Sequence, residues 1–438
     1  GDSQPDWVDM NKVDIPQADE QQRLLANIIL QGNLDRKPLP RFWYLPKGLK
    51  AAVVMTGDDH AGGHTLNRFA RYKTLSPSNT PEAVADWTAI RGTSYIYPHT
   101  PITPAQLNQL QSEGFEIALH LNTDCSPFTE ASLNSAWAQQ WNRMTTNFPG
   151  VNPARTNRTH CMPWNEWATQ AKVQAERGVR LDVNYYYWPG IWVNNRPGMF
   201  TGSGMPMRFA DLDGTLIDCY QVPTQVTDES GITNYSTFMS ALLDKAIGPQ
   251  GYYGVFCANI HTDLSSSDPH SDAIINSAVA RQIPVVSAKQ MLDWLDGRNG
   301  SSFESITWNG NKLSFAITTA IGSRNLKGML PNEGSTGSLL SIALNGTPVP
   351  FTLEIIKGIE YAFFDAVDGN YEATYQTTNQ TKPVTATISV SDKVYNGNTE
   401  AEINAVTFTG VEAGHEVTLA ASSTRFESAS VGTGKTVT

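Results

Sequence analysis

The stretch AAVVMTGDDHAGGHTLNRF, residues 51–69, joins an apolar run directly to a cluster of polar side chains. Its first five residues are continuously apolar and centred on valine, which is typical of a strand buried on both faces of a parallel sheet. Asp58, Asp59 and His60 follow the run, at the strand end where active sites collect in barrels of parallel strands. Two adjacent carboxylates are costly there unless a metal, an arginine or water receives them. The stretch therefore predicts a functional site at the carboxyl edge of a sheet.

The rest of the chain falls into four segments. Residues 1–50 are predicted to form an N-terminal segment that packs on the barrel. Between 51 and 300, strand-like runs alternate with helical stretches, which predicts an α/β fold with a distorted (β/α) barrel. Alternating strands and Asn-Gly turns at 303–376 predict a small β-sandwich. Residues 384–438 read as a further all-β module. It resembles one unit of the YDG-type repeats of bacterial surface and secreted proteins, and we expect it to be part of a longer array.

Composition narrows the functional class. The chain has 438 residues and a net charge of −11, so a nucleic-acid-binding surface is not expected. No apolar run approaches the ~18 residues of a membrane span. Charged residues make up only 17% of the chain, a balance typical of a secreted, loop-rich protein. Four cysteines lack any C-x-x-C spacing, which excludes a zinc ribbon, and Cys125 and Cys161 could form a disulfide.

Other polar side chains follow apolar runs in the same way. His120 ends the strand FEIALHL and is followed four residues later by Asp124. Arg158 and His160 stand in TNRTHC, and His261 ends VFCANIH. Because the carboxyl ends of parallel strands share one edge of a sheet, these residues are expected to meet Asp58 and Asp59.

These motifs, in this order, resemble those of the polysaccharide deacetylases, the NodB-like carbohydrate esterases. The T-F-D-D motif of that family matches residues 56–59, and its H-[ST]-x-x-H motif matches 120–124. Its arginine-plus-Pro-aromatic motif is similar to Arg158 with 163–164, and its Asp-and-aromatic motif to Asp182 with 185–188. Its L-x-H-D motif is similar to residues 260–263, so the resemblance covers about 51–295.

The resemblance implies a role for each matched residue. Asp58 would be the general base, Asp59 a metal ligand and His261 the general acid, while Arg158 would keep Asp58 ionised. His120 would be the second metal ligand. The aromatic side chains implied to line the sugar-binding cleft are Trp164, Tyr186 and Trp188.

One position departs from the family pattern. Asp124 stands where a second histidine is usual, so the implied metal set is Asp59, His120 and Asp124. An extra carboxylate shifts preference toward harder ions, so we expect one divalent metal, zinc first, with Co, Ni or Mn as alternatives. His60, His64 or His160 could replace Asp124 as the third ligand. Gly57 is expected to permit a turn that brings Asp58 and Asp59 to one site.

The predicted activity is metal-dependent de-N-acetylation of a secreted amino-sugar polymer containing GlcNAc or GalNAc. A glycoside hydrolase would instead use two carboxylates across the bond and no metal. A polysaccharide-binding protein without catalysis is the second alternative. The β-rich tail is expected to attach the chain to a polymer or a cell surface.

Overall fold

The chain divides into two compact units, residues 1–376 and 377–438. The computed structural model describes residues 9–34, 36–184, 194–377, 384–411, 416–420 and 423–438. The predicted sugar-stacking residues Tyr186 and Trp188 lie outside the described residues. Among the described helices, none has the length and apolar content that crossing a membrane would require.

A ten-stranded sheet forms the centre of the larger unit and confirms the predicted α/β class. Its strand order is β7-β8-β6-β5-β4-β3-β2-β10-β9, with β11 beside β2, and β7 is the antiparallel strand among them. The strands are β2 (Ala51–Asp59), β3 (Thr93–Ile96), β4 (Glu116–Leu121), β5 (Thr156–Thr159), β6 (Leu181–Asp182), β7 (Met207–Ala210), β8 (Leu216–Gln221), β9 (Thr224–Thr227), β10 (Gly254–Asn259) and β11 (Val285–Val286).

Helices connect these strands and cover the sheet. The α-helices of the chain are α1 (Gln17–Gln31), α2 (Thr65–Leu75), α3 (Pro81–Ala85), α4 (Pro104–Ser112), α5 (Glu130–Asn147), α6 (Thr169–Glu176), α7 (Tyr235–Ile247), α8 (Asp268–Val279) and α9 (Ala288–Gly300). Short 3₁₀ turns occupy Pro46–Gly48 and Ser265–Ser267. All nine residues of β2 are buried, as its uninterrupted apolar start predicts for a strand covered on both faces.

Two antiparallel sheets follow α9 in the same compact unit. One has the order β1-β14-β19-β18, and the other has β12-β13-β20-β16-β15 with β17 beside β16. Their strands are β1 (Arg41–Phe42), β12 (Ser302–Asn309), β13 (Lys312–Thr318), β14 (Lys327–Pro331), β15 (Glu333–Gly334), β16 (Gly337–Leu344), β17 (Thr347–Val349), β18 (Phe351–Ile356), β19 (Ile359–Asp365) and β20 (Gly369–Tyr375). Strand β1 belongs to the N-terminal segment and supplies the edge of the first sheet by pairing with β14.

One hydrophobic core runs from the central sheet into these antiparallel sheets. Trp294 and Leu295 of α9 share a cluster of buried side chains with Leu313 and Phe315 of β13. The backbones also approach closely, because a Cβ added to Gly297 would stand 2.2 Å from the backbone of Gly322. A helix–loop contact this tight requires glycine. The sandwich therefore shares its apolar interior with the barrel.

The smaller unit contains one antiparallel pair, β21 (Thr385–Val390) and β22 (Ile403–Thr409). Single bridges join Glu400 to Arg425 and Phe426 to Val437. Its described part is all-β, as its sequence predicts.

Candidate functional site

The carboxyl ends of four parallel strands bring the chemically active side chains together. Strand β2 carries Asp58, β4 carries His120, β5 carries Arg158 and the residue after Ile260, beyond β10, is His261. His120 and Arg158 are direct partners in the β4–β5 register. These strand ends therefore lie at one edge of the sheet, as the sequence predicts.

Three histidines surround one small space at this edge, and we call His60, His120 and His160 the histidine trio. One ring nitrogen from each lies within 4.8 Å of the other two. His60 Nε2 and His160 Nδ1 are 3.1 Å apart. His160 directly follows β5, where its backbone N–H donates to the carbonyl of Leu121 at 2.7 Å. The trio therefore draws on the ends of β2, β4 and β5.

One ring nitrogen of His120 has a lone pair available for a metal ion. Its Nδ1 lies 3.1 Å from the carbonyl oxygen of Arg158, and because a carbonyl can only accept, Nδ1 carries the proton. The other nitrogen, Nε2, is buried and has no hydrogen-bond partner among the described residues. Burial lowers the pKa of His120 to about 4, although the nearby Asp58 opposes the shift. A neutral imidazole with its outer N–H fixed by a backbone carbonyl is the usual state of a metal-ligating histidine.

His60 receives similar support from Asp263. The Asp263 carboxylate accepts from the His60 backbone N–H at 3.0 Å and lies 3.5 Å from the ring Nδ1. This hydrogen-bonded carboxylate raises the pKa of His60. Carboxylate support of this kind orients a ligating ring and increases its basicity. The trio accordingly fits a divalent cation that accepts imidazole, as zinc does.

Asp58 is a buried carboxylate beside a buried guanidinium. Its Oδ2 accepts from Asn259 Nδ2 at 2.9 Å, and its Oδ1 lies 3.7 Å from Arg158 Nε and 3.8 Å from His120 Nδ1. Burial opposes ionisation, yet His120 and Arg158 outweigh it, so the pKa of Asp58 is lowered. Since His120 is itself neutral near pH 7, the lasting positive charge comes from Arg158 and from the protonated His261. Asp58 Oδ1 has no hydrogen-bond partner among the described residues, so an ionised oxygen faces the site.

Arg158 is fully buried, and its other contacts fix its direction. Its Nη2 donates to Thr224 Oγ1 at 2.7 Å, and its Nη1 lies 2.9 Å from Met162 Sδ. Within the described part of the chain, its Nε has no hydrogen-bond partner. These contacts point the guanidinium at Asp58, the geometry implied for a residue that keeps the base ionised.

His261 is paired with Asp228 through two contacts. The carboxylate lies 2.8 Å from His261 Nδ1 and accepts from the His261 backbone N–H at 3.0 Å. Burial lowers the pKa of His261, but the hydrogen bond and charge of Asp228 outweigh it, and the pKa rises to about 9. The ring centroids of His261 and His60 are 5.1 Å apart, so the proton-carrying ring faces the trio.

Asp59 points away from the trio. Its Oδ1 accepts from the Gly63 backbone N–H at 3.1 Å and its Oδ2 from Thr65 Oγ1 at 2.7 Å. Strand β2 continues through Asp59, so adjacent carboxylates project to opposite faces. The turn expected at Gly57 is absent from β2. Gly57 is instead required by close approach, since a Cβ there would lie 2.1 Å from the carbonyl oxygen of Ile260.

Asp124 is exposed on the loop after β4, next to a disulfide between Cys125 and Cys161. Among the described residues, the grouping that contains His120 is completed by His60 and His160, not by Asp59 and Asp124. The strand alternation at Asp59 and the exposed position of Asp124 keep both carboxylates out of that grouping. The sequence left His60 and His160 open as alternatives to Asp124.

The remaining predicted residues have other positions. His64 Nε2 lies 3.1 Å from the carboxylate of Asp268, which holds it to α8. Trp164 stacks on Phe209 with ring centroids 5.5 Å apart. The Trp164 ring therefore packs against a side chain of β7.

Sequence reasoning missed Asp228, Asn259 and Tyr97. Asp228 directly follows β9 and Asn259 ends β10, so the same strand-end signal marks both. The Tyr97 ring lies 5.3 Å from that of His120 and 5.6 Å from that of His60. Its pKa is raised to about 12 by burial and by neighbouring carboxylates, so it stays neutral at ordinary pH.

Comparisons with known proteins agree with the two resemblances predicted from the motifs. The family model described as YDG domain matches residues 380–438. A candidate polysaccharide deacetylase from Mycobacterium smegmatis is 17% identical over 57% of this chain and 91% of that chain, with a TM-score of 0.37. A family 4 carbohydrate esterase from Streptomyces lividans, solved with acetate, is 11% identical over 53% and 90%, with a TM-score of 0.31.

An allantoinase is similar to the same degree, at 12% identity over 58% of this chain and 94% of that chain, with a TM-score of 0.38. No curated protein matches the sequence. Because identities and TM-scores are this low, the likenesses do not decide the activity, and the side chains of the site must do so.

Proposed function

We propose that the protein is a metal-dependent hydrolase that removes N-acetyl groups from an amino-sugar polymer containing GlcNAc or GalNAc. The observation that carries the proposal is the convergence of three groups at one sheet edge. These are the histidine trio, the Asp58–Arg158 pair and the His261–Asp228 pair. An amide resists hydrolysis because its carbonyl is weakly electrophilic and its amine leaves poorly, and the three groups address both difficulties.

The trio would hold one divalent ion. The support for this is the unpartnered, buried Nε2 of His120 and the ring nitrogens of His60 and His160 beside it. An all-imidazole set suits zinc, with cobalt or nickel as alternatives, and is less suited to manganese than the Asp59–His120–Asp124 set. When bound, such an ion polarises a carbonyl and lowers the pKa of water to about 7.

Asp58 is suited to accept the proton of the attacking water. Arg158 keeps the carboxyl ionised, Asn259 fixes one oxygen, and the other oxygen has no hydrogen-bond partner in the described ranges. A base held in this way contributes roughly 10²–10⁴ to the rate of proton transfer.

His261 is suited to protonate the leaving nitrogen. Asp228 binds Nδ1, so Nε2, which lies 4.0 Å from Glu229 Oε1, is the atom that can present a proton to the substrate. A base and an acid with pKa values pushed in opposite directions are the expected pair for amide cleavage.

Secretion is part of the proposal. The Cys125–Cys161 disulfide suits an oxidising compartment, and the YDG domain at 380–438 is proposed to hold the chain at a polymer or cell surface.

The test is to measure acetate release from GlcNAc and GalNAc polymers, with chelator and with added zinc. We expect release that chelator abolishes and zinc restores, and we expect Asp58→Asn to keep the metal but lose at least ~100-fold in kcat. Chain cleavage without acetate, insensitive to chelator, would instead indicate a glycoside hydrolase. Binding without any product would indicate a polysaccharide-binding protein.

A further inference from the structure

A cleft of about 550 Å³ lies against the site on the far side of Tyr97. It is bounded by the loop after β3, by the loop after β4 and by one face of α5. A cleft of this volume is within the range of ligand-binding sites. None of the groups that carry the proposed chemistry lines it, and we call it the α5 cleft.

One stripe of α5 forms a wall of the cleft. Its members lie within about 100° of one another around the helix axis, which places them on a single face; they are Ser132, Ala136, Gln139, Gln140, Arg143 and Asn147. The adjoining face of the helix, about 90° around its axis, is buried, with Leu133, Trp137 and Met144. From its first to its last member the stripe extends about 22 Å, enough for an extended chain to lie along it.

Two members of the stripe hold the cleft open in a fixed shape. Gln140 accepts from the Asn122 backbone N–H at 2.9 Å and donates to the Asn122 carbonyl at 2.7 Å. Asn147 donates to the Pro98 carbonyl at 2.7 Å. Both loops of the cleft are therefore fastened to the helix by side-chain amides, and the cleft is preformed.

Three polar side chains at the cleft make no hydrogen bond among the described residues. Arg143 has no ion pair or hydrogen bond within the described chain, and the Asp124 carboxylate is exposed at the same cleft. Thr123 Oγ1 is buried and has no hydrogen-bond partner among the described residues. A buried hydroxyl without a partner is costly and indicates a ligand or water at that point.

We propose that the α5 cleft binds the neutral, hydroxyl-rich sugar unit next to the one that is deacetylated, with Arg143 and Gln139 as its recognition groups. This rests on the proposed function, since the reacting sugar would lie at the histidine trio beyond Tyr97. The lining supplies one cation, one carboxylate and several amides and hydroxyls, which suits many hydroxyl groups better than a single strong charge. The enzyme would thus act within a chain rather than on single amino sugars.

The test is the chain-length dependence of deacetylation by the full-length, zinc-loaded protein. The rates of acetate release from GlcNAc and GalNAc substrates of one to six units are compared for the wild type, Arg143→Ala and Gln139→Ala. Arg71→Ala is the matched control, because Arg71 is an exposed arginine that pairs with Asp272 outside the cleft.

For the wild type, kcat/KM should rise once an oligomer is long enough to fill the cleft. Arg143→Ala should raise KM on the longer oligomers by about 10-fold while kcat, and activity on the single sugar, stay unchanged. A loss that is equal at every length, or no loss at all, would overturn the cleft assignment while leaving the deacetylase proposal intact.

Should the wild type release no acetate from any oligomer, the proposed function fails, and the cleft is then judged by calorimetric binding of the pentamers. The cleft assignment stands if Arg143→Ala weakens binding about 10-fold relative to the control, and equal affinities refute it.

Discussion

Removing the Cys125–Cys161 disulfide is the change whose effect on the free energy of unfolding follows best from the structure. The cross-link joins the loop after β4 to the loop after β5 and closes 36 residues. It lies next to the histidine trio, because His160 directly precedes Cys161. The variant is Cys125→Ser with Cys161→Ser.

The stability change follows from loop closure. A cross-link over about 36 residues removes roughly 4 kcal/mol of chain entropy from the unfolded state on the entropic account. Unfolding by urea, followed by tryptophan fluorescence, should therefore show an unfolding free energy lower by up to about 4 kcal/mol. Reduction of the wild type with a phosphine should give a similar loss.

A second effect concerns the metal site. Four residues beside the cross-link have left-handed backbone, with φ values of 56° at Asp124, 54° at Cys125, 60° at Cys161 and 48° at Met162. Each is unfavourable by roughly 1–2 kcal/mol for a residue other than glycine. Without the cross-link these loops should relax and displace His160, so zinc affinity should fall in the folded variant.

Cys219→Ala is the matched control, because Cys219 is a buried free cysteine in β8 that plays no part in the cross-link. The control should keep its zinc affinity. If the double variant loses less than about 1 kcal/mol and binds zinc as tightly as the control, the cross-link neither stabilises the fold nor positions His160.

Three further outcomes are expected. His160→Ala should lose stoichiometric zinc by elemental analysis whereas Asp124→Ala should retain it, and the reverse result would restore the carboxylate-containing ligand set. In the metal-free protein, the His261 ring should titrate near pH 9 by NMR, since Asp228 favours its protonated form. In Asp228→Asn the protonated form should be lost at a markedly lower pH, because burial lowers the pKa of the ring, and an unmoved titration would contradict the pairing. A fragment ending at Gly300 should be insoluble or lose zinc, whereas one ending at Gln376 should stay soluble; a soluble, active shorter fragment would make the sandwich an independent module.

The positions of β2, β4 and β10 could be predicted from sequence because each is a short apolar run followed by polar residues. Asp58, His120 and His261 then follow from the rule that such strands end at one edge, whereas Arg158 was found through the family resemblance. The rule is insensitive to side-chain detail, which is why it placed residues over 200 positions apart correctly.

The choice among neighbouring residues could not be predicted in the same way. Whether Asp59 or His60 faces the site depends on the residue at which β2 ends. Successive side chains of a strand point to opposite faces, so a strand that is one residue longer or shorter brings the other side chain to the site. The strand-end signal marks Asp228, but its pairing with His261 could not be predicted, because Asp228 reaches that ring only through the pairing of β9 with β10.

The pairing of β1 with β14 has a kinetic consequence. Arg41 and Phe42 pair with Met329 and Gly328, so this sheet edge cannot close until nearly 290 later residues have been synthesised. Contacts this distant in sequence slow folding, since the entropy of closing the intervening chain opposes them before they contribute. Until then the aromatic run at 42–44 has no finished sheet to join. The nascent chain should therefore depend on protection from aggregation until the sandwich strands emerge.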